Sequence, residues 1–239
     1  MSRPSRVWLL QSPAKYFDVV PIFLDSLRNT GYFDWFYVAT NSELCLELKI
    51  DTVQIALDKD FGWSNNIIEA LKYVKDDVFF MGCEDHVLVD IDLDAVDQCF
   101  QAVCDNPEIG CIRLTKKKRI KMAEPNNPYS AILKPYHYYV SLQPTIWKKS
   151  YLKAIIRPNE NAWAFETEAS KRAMQIETPK AGVTCKTIFN YHNYMKKGGL
   201  FRPGYIQHAK DHEIDLDSEK FHDEWKLGSQ NYDYRSIHG

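Results

Sequence analysis

Short apolar runs alternate with helix-spaced segments through the first 115 residues, and this alternation limits the fold more than any other feature of the chain. Arg6–Gln11 is an apolar run that stops at Ser12-Pro13. Tyr16, Val20, Phe23, Leu24 and Leu27 follow at helical spacing and end at Asn29-Thr30-Gly31. Phe36–Ala39 and Val53–Leu57 read as further strands, with a short helix expected over 42–49 between them. Ser64 is a candidate N-cap for a helix carrying Ile67, Ile68, Leu71 and Val74. Val78-Phe79-Phe80-Met81 is apolar throughout, as a strand buried on both faces must be. Asp92 or Asp94 opens another helix, and Gly110–Leu114 reads as a strand. Strands and helices in this order predict an α/β sheet covered by helices.

The second half is less regular. Lys116–Lys121 is a basic loop, His137–Leu142 reads as a strand, and Trp147, Tyr151, Leu152 and Ile155 give a helix. Asn161 is placed to cap a helix reaching Met174, and Val183–Tyr191 reads as a last strand. The residues from about 206 to 239 form a polar, charged tail. The whole is expected to be one domain, with 1–115 and 116–205 as its two halves.

Composition excludes several function classes. With 45% hydrophobic and 26% charged residues the chain is expected to fold rather than stay disordered. A net charge of −2 argues against nucleic-acid binding driven by overall charge. No apolar stretch approaches the roughly 20 residues of a membrane span, and Val7–Leu10 is too short for a signal-peptide core. The six cysteines include no CxxC pair, so reduced thiols and a cytoplasmic location are expected. No G-x-G-x-x-G follows any strand, which disfavours a dinucleotide-dependent dehydrogenase.

The chemistry is expected where the most apolar strand ends. Open α/β sheets bind ligands outside the carboxyl ends of their strands. Glu84-Asp85-His86 stands there, two carboxylates and an imidazole within three residues. This is a hard-to-borderline donor set suited to Mn²⁺ or Mg²⁺ together with phosphate oxygens. Polar residues also end strands simply to turn the chain, so the triplet alone does not decide the matter.

Taken in order, Trp63-Ser64, the helix, the apolar strand and Glu84-Asp85-His86 resemble the donor-binding half of a GT-A glycosyltransferase. Two later stretches extend the likeness to about residues 5–200. Ser141-Leu142-Gln143-Pro144-Thr145-Ile146-Trp147 resembles the SLQP stretch of small bacterial and phage-type transferases, and Asn161–Glu166 resembles their npWxfE element. The resemblance implies a Rossmann-type three-layer sandwich with a mostly parallel central sheet and a less regular acceptor half. It also implies a nucleotide-sugar donor, a UDP-sugar favoured, and a glycan or other hydroxyl acceptor. The metal would sit on Glu84, Asp85 and His86, with His192 completing the site. His86 stands where the family usually has Asp, a variant resembling the D-x-H of GalNAc-transferases. Glu166 is the implied catalytic base for an inverting transfer. Ser12, Thr40, Asn41, Asp58, Trp63 and Ser64 would contact base and ribose. Lys196 and Lys197, in a loop with Gly198 and Gly199, would neutralise the diphosphate. Two alternatives use the same residues: a metal-dependent phosphodiesterase or nucleotidyltransferase, and a non-catalytic carbohydrate-binding protein suggested by the 13% aromatic content.

Overall fold

The computed structural model describes residues 3–13, 19–40, 51–57, 60–116, 119–124, 126–193, 195–196 and 200–201. Asn41, Asp58, Lys197, the expected helix at 42–49 and the tail at 206–239 lie outside the described residues. Among the described residues, no helix is long and apolar enough to cross a membrane. The chain divides into two compact units, 1–191 and 192–239.

In chain order, the first unit starts with β1 (Val7–Gln11), α1 (Val20–Arg28), β2 (Trp35–Thr40), β3 (Thr52–Ala56), α2 (Trp63–Ala70) and β4 (Val78–Met81). β5 (His86–Ile91), α3 (Leu93–Asp105), β6 (Ile109–Arg113), β7 (Tyr129–Ala131), β8 (Thr145–Lys148) and α4 (Lys149–Ile155) follow. A helical stretch then comprises α5 (Ala162–Ala164), a π-helical turn (Phe165–Ala169) and α6 (Ser170–Gln175), before β9 (Lys180–Thr184) and β10 (Phe189–Asn193), whose last two residues fall in the second unit. In the second unit β11 (Met195–Lys196) pairs antiparallel with β12 (Leu200–Phe201).

Eight strands form the main sheet in the order β3-β2-β1-β4-β8-β6-β9-β7. β1 to β4 are mutually parallel, and β6 and β9 run the same way, whereas β7 and β8 oppose them. β5 and β10 form a separate two-stranded ribbon. The period of two along each strand divides the interior into two layers. Val7, Leu9, Phe79, Met81 and Trp147 pack with Ile67 of α2, Leu152 of α4 and Phe165 of the π-turn. On the other face Trp8 meets Phe23 of α1 edge-on at 5.4 Å and stacks on Phe80 at 5.9 Å, and Phe80 stacks on Phe100 of α3 at 5.4 Å. Helices therefore cover both faces, and all four residues of β4 are buried, each large side chain contributing about 1.5–3 kcal/mol. This is the helix-covered α/β sheet that the alternation predicts, and the three-layer sandwich with a mostly parallel sheet that the resemblance implies.

Local readings fared unevenly. Asp92 caps α3 by accepting from the Ala95 N–H at 3.1 Å, and Asn161 caps α5 through Ala164 at 2.8 Å. Ser64 does not cap α2, whose N-cap is Gly62 at φ 88°, a left-handed conformation suited to glycine. Ser64 instead pins the helix start to Glu160, donating its N–H to the Glu160 carbonyl at 3.1 Å and accepting the Glu160 N–H on its Oγ at 2.9 Å. The expected strand at 137–142 is irregular chain, and the expected helix at Trp147 is preceded by β8. The single strand expected at 183–191 is two, β9 and β10.

Candidate active site

The reversed direction of β8 builds the site. Its first residue, Thr145, pairs with Met81 and Arg113, the last residues of β4 and β6. The segment entering β8 therefore runs along the carboxyl edge of the sheet, beside the chain leaving β4. Leu114 N–H donates to Pro144 O at 2.9 Å, and Thr115 Oγ1 hydrogen-bonds Gln143 Oε1 at 2.5 Å, fixing that segment to the end of β6.

Beyond β4 the chain turns at once. His86 N–H donates to the Cys83 carbonyl at 3.1 Å, closing a turn over Glu84-Asp85 that leads straight into β5. The turn sorts the side chains. A sulfur of Cys83, a carboxylate oxygen of Asp85 and a ring nitrogen of His86 lie within 4.8 Å of one another. Asp85 Oδ1 is 3.8 Å from His86 Nε2, and the Tyr191 ring lies 4.2 Å from the imidazole. Glu84 is buried and lines a narrow cleft with Gln11, Trp63, Ile67, Gly82, Cys83 and Leu142. Burial pushes the Cys83 thiol well above its ordinary range, and Asp85, Glu84 and Glu166 push it further. Burial also pushes up the Tyr191 hydroxyl, with Cys83, Asp85 and Glu166 adding to the shift. Glu166 thus acts on two members of this neighbourhood.

Glu166 sits in the π-helical turn, a backbone form that recurs at functional sites. Its Oε1 accepts from Ser141 Oγ at 2.7 Å and from the Leu142 N–H at 2.9 Å. Both donors are buried, so one carboxylate oxygen is clamped to the segment entering β8. Glu168, two residues further on, is ion-paired with Lys171 at 2.7 Å.

The remaining sequence-derived residues are distributed as follows. Ser12 and Thr40 are buried at the ends of β1 and β2, Ser12 continuing the ladder through its N–H to Ala39 O at 3.1 Å. Trp63 opens α2, lines the Glu84 cleft and meets the Phe165 ring at 4.9 Å. Ser64 serves the Glu160 contact just described. His192 and Lys196 belong to the second unit, Lys196 within β11.

Sequence reasoning assigned no role to Gln11, Cys83, Arg113, Ser141 or Tyr191. Arg113 lies within the strand expected at Gly110–Leu114 and is the last residue of β6. It is 3% exposed and donates Nη2–H to Tyr138 O at 2.5 Å, while its Nε has no hydrogen-bond partner among the described residues. Burial pulls this guanidinium below its ordinary value, and Glu166 is among the groups that oppose the shift.

Known structures share this architecture. S. aureus TarS 1–349 matches with a TM-score of 0.56 at 14% identity, covering 80% of this chain and 60% of that one. The mannosyltransferase PcManGT from Pyrobaculum calidifontis, in complex with GDP-Man and Mn²⁺, matches with a TM-score of 0.55 at 13% identity over 92% of this chain and 67% of that one. The fold is that of the GT-A glycosyltransferases. The inositol-1-phosphate CTP transferase from T. maritima also matches, with a TM-score of 0.52 at 14% identity, over 91% of this chain and 100% of that one. This chain spans about three fifths of the TarS fragment's length. No protein-family model matches the sequence, and the search of curated proteins finds no match.

Proposed function

We propose that this protein transfers a sugar from a nucleotide diphosphate donor to a hydroxyl acceptor. The observation that carries the proposal is the pairing of two different acidic devices at one edge of the sheet. One is the donor cluster after β4; the other is Glu166, clamped by the N–H of Leu142, which lines the same cleft as Cys83 and Glu84. In an inverting transfer the cluster would hold the leaving diphosphate while a carboxylate takes the proton that the acceptor hydroxyl loses.

The donor atoms fit a divalent cation, since a carboxylate oxygen, an imidazole nitrogen and the Cys83 sulfur converge there. Asp85 and His86 would hold it, with Glu84 on the cleft side, and Mn²⁺ or Mg²⁺ is the expected ion. Such a cation supplies charge neutralisation for the departing diphosphate. Trp63, Gln11 and Glu84 would border the nucleoside, with Ser12 and Thr40 at the neighbouring strand ends. Ser141 and Leu142 hold Glu166 Oε1, leaving Oε2 to take the acceptor proton in an inverting transfer. A UDP-sugar is the favoured donor, and a glycan or other hydroxyl compound the acceptor.

A second reading has one observation in its favour: the nucleotidyltransferase above is matched over its full length. It would join a nucleoside triphosphate to a phosphorylated acceptor and release pyrophosphate. Against it, residues 12–18, which follow β1, contain no glycine to form a phosphate-cradling loop.

Calorimetric titration of UDP and then GDP, with Mn²⁺ and again with EDTA, tests the proposal on wild type and on a Glu84→Ala, His86→Ala double variant. Metal-dependent binding lost in the double variant is the expected result. Failure of both diphosphates to bind, with CTP or UTP binding and pyrophosphate release, favours the second reading. No nucleotide binding at all removes the donor-site assignment.

A further inference from the structure

We infer that Trp163 is a stacking platform for one ring of the acceptor, which makes the acceptor a carbohydrate with an apolar pyranose face rather than a lipid, a protein side chain or an open-chain polyol. The assignment to the acceptor rests on the transferase reading above; the platform itself stands on exposure and placement.

Trp163 is the middle residue of α5, and α5 runs without a break into the π-helical turn that carries Glu166. Ala164 and Phe165 keep helical dihedrals, φ −61° and ψ −41° for the first and φ −58° and ψ −50° for the second. Residues three and four apart on a helix are neighbours on one face, with Cβ atoms about 5–6 Å apart. Glu166 and Thr167 are therefore the neighbours of Trp163, and Thr167 Oγ1 donates to the Trp163 carbonyl at 3.2 Å.

The segment before α5 is tied to the helix that borders the Glu84 cleft. Ser64 and Glu160 exchange two hydrogen bonds. Asn65 Nδ2 donates to Asn159 Oδ1 at 3.0 Å, and the Asn159 N–H donates back to Asn65 Oδ1 at 3.3 Å. Arg172 Nη2 grips the Glu160 carboxylate at 2.7 and 2.8 Å. Trp163 thus follows a segment fixed to the start of α2, where Trp63 lines the cleft, and precedes Glu166 by one turn.

Nothing in the fold accounts for the tryptophan there. It is 64% exposed, the most exposed large hydrophobic side chain among the described residues. Its neighbour Phe165 takes the core position and meets Trp63 and Trp147. A lipid or an apolar protein face needs a contiguous apolar patch, whereas the helix face around Trp163 continues into a carboxylate and a hydroxyl. A pyranose matches that pattern, with C–H bonds on its face and hydroxyls at its edge. Stacked on the indole, it presents edge hydroxyls about one helical turn from Glu166, the distance a carboxylate spans to take a proton.

The test follows intrinsic fluorescence of the full chain during titration with defined oligosaccharides of glucose, galactose, mannose, N-acetylglucosamine and rhamnose, with and without UDP and Mn²⁺. Sorbitol and phosphatidylglycerol vesicles are the comparison ligands. At least one oligosaccharide is expected to shift the wild-type emission saturably. Trp163→Ala should bind it at least about fivefold more weakly, with Trp163→Tyr retaining most of the affinity. Tyr73→Ala, which removes a surface ring beyond the far end of α2, should bind as wild type does. Acrylamide should quench wild type more than Trp163→Phe, which checks that the ring is open in solution. The inference is overturned if no oligosaccharide binds wild type, if binding survives in Trp163→Ala, if the vesicles shift the emission instead, or if UDP affinity falls in Trp163→Ala as far as oligosaccharide affinity does. Oligosaccharide binding through Trp163 without nucleotide binding keeps the platform and removes the transferase reading. Nucleotide binding without oligosaccharide binding does the reverse.

Discussion

Replacing Glu166 tests the two roles proposed for its two carboxylate oxygens. Oε1 accepts two hydrogen bonds from buried donors, Ser141 Oγ at 2.7 Å and Leu142 N–H at 2.9 Å. A hydrogen bond to a charged group contributes about 1.5–3 kcal/mol and one between neutral groups about 0.5–1.5 kcal/mol. Glu166→Ala removes the acceptor from both donors. Partial exposure of the carboxylate lets water replace some of the loss, so the low end applies, about 3 kcal/mol. Glu166→Gln keeps an oxygen in place and loses only the charge assistance of two bonds, about 2 kcal/mol on the same low-end values. Catalysis orders the variants differently, because an amide cannot take a proton. Both should lose about 10²- to 10⁴-fold in kcat. Urea unfolding supplies the stabilities, and release of nucleoside diphosphate from the donor supplies the rates. A Gln variant as unstable as the Ala variant would refute the clamp. A Gln variant within tenfold of wild-type turnover would refute the base.

Three further outcomes are expected. Gly110→Ala places a Cβ 2.4 Å from Cγ of Tyr151, so it should lower stability by about 1–3 kcal/mol in thermal or denaturant unfolding, and a wild-type-like transition would contradict this packing. Arg28 holds Asp51 through Nε and Nη2, at 2.9 and 2.8 Å, and keeps its carboxyl below the ordinary value near 3.8. A depressed folded value means stability that is present above the unfolded value and lost as pH falls through the folded one. Asp51→Asn should therefore be less stable than wild type at neutral pH and should converge with it as pH falls through the lowered folded value, below the ordinary carboxylate range; parallel stability curves from neutral pH through that acid range would contradict the linkage. Trp63→Ala should weaken nucleotide binding about 5- to 100-fold, the range of a lost base–aromatic stack, with Trp63→Phe retaining most of it. Unchanged affinity would leave Trp63 with only its packing on Phe165.

The legibility of the fold varied along the chain for physical reasons. The first half is built from neighbours in sequence, and parallel strands buried on both faces announce themselves as unbroken apolar runs, as Val78–Met81 did. β8 was hidden because Trp147 continues the helical spacing of Tyr151, Leu152 and Ile155, and because its partners β4 and β6 lie far away in sequence. Ser64 was misread as a cap because a serine before an apolar helix is the usual signal, and its true partner, Glu160, is 96 residues distant.

What the sequence determined by itself was the layered architecture and the strand end at which polar chemistry gathers, because burial on two faces and a sudden change to acidic residues are local properties. Which of those polar side chains meet was decided by tertiary structure. The turn closed by His86 N–H and the Cys83 carbonyl brings Cys83 to Asp85 and His86 and sets Glu84 in the cleft, while the antiparallel entry of β8 brings Ser141 and Leu142 to Glu166. Both depend on backbone direction rather than residue type, and direction is fixed only once distant segments have packed together.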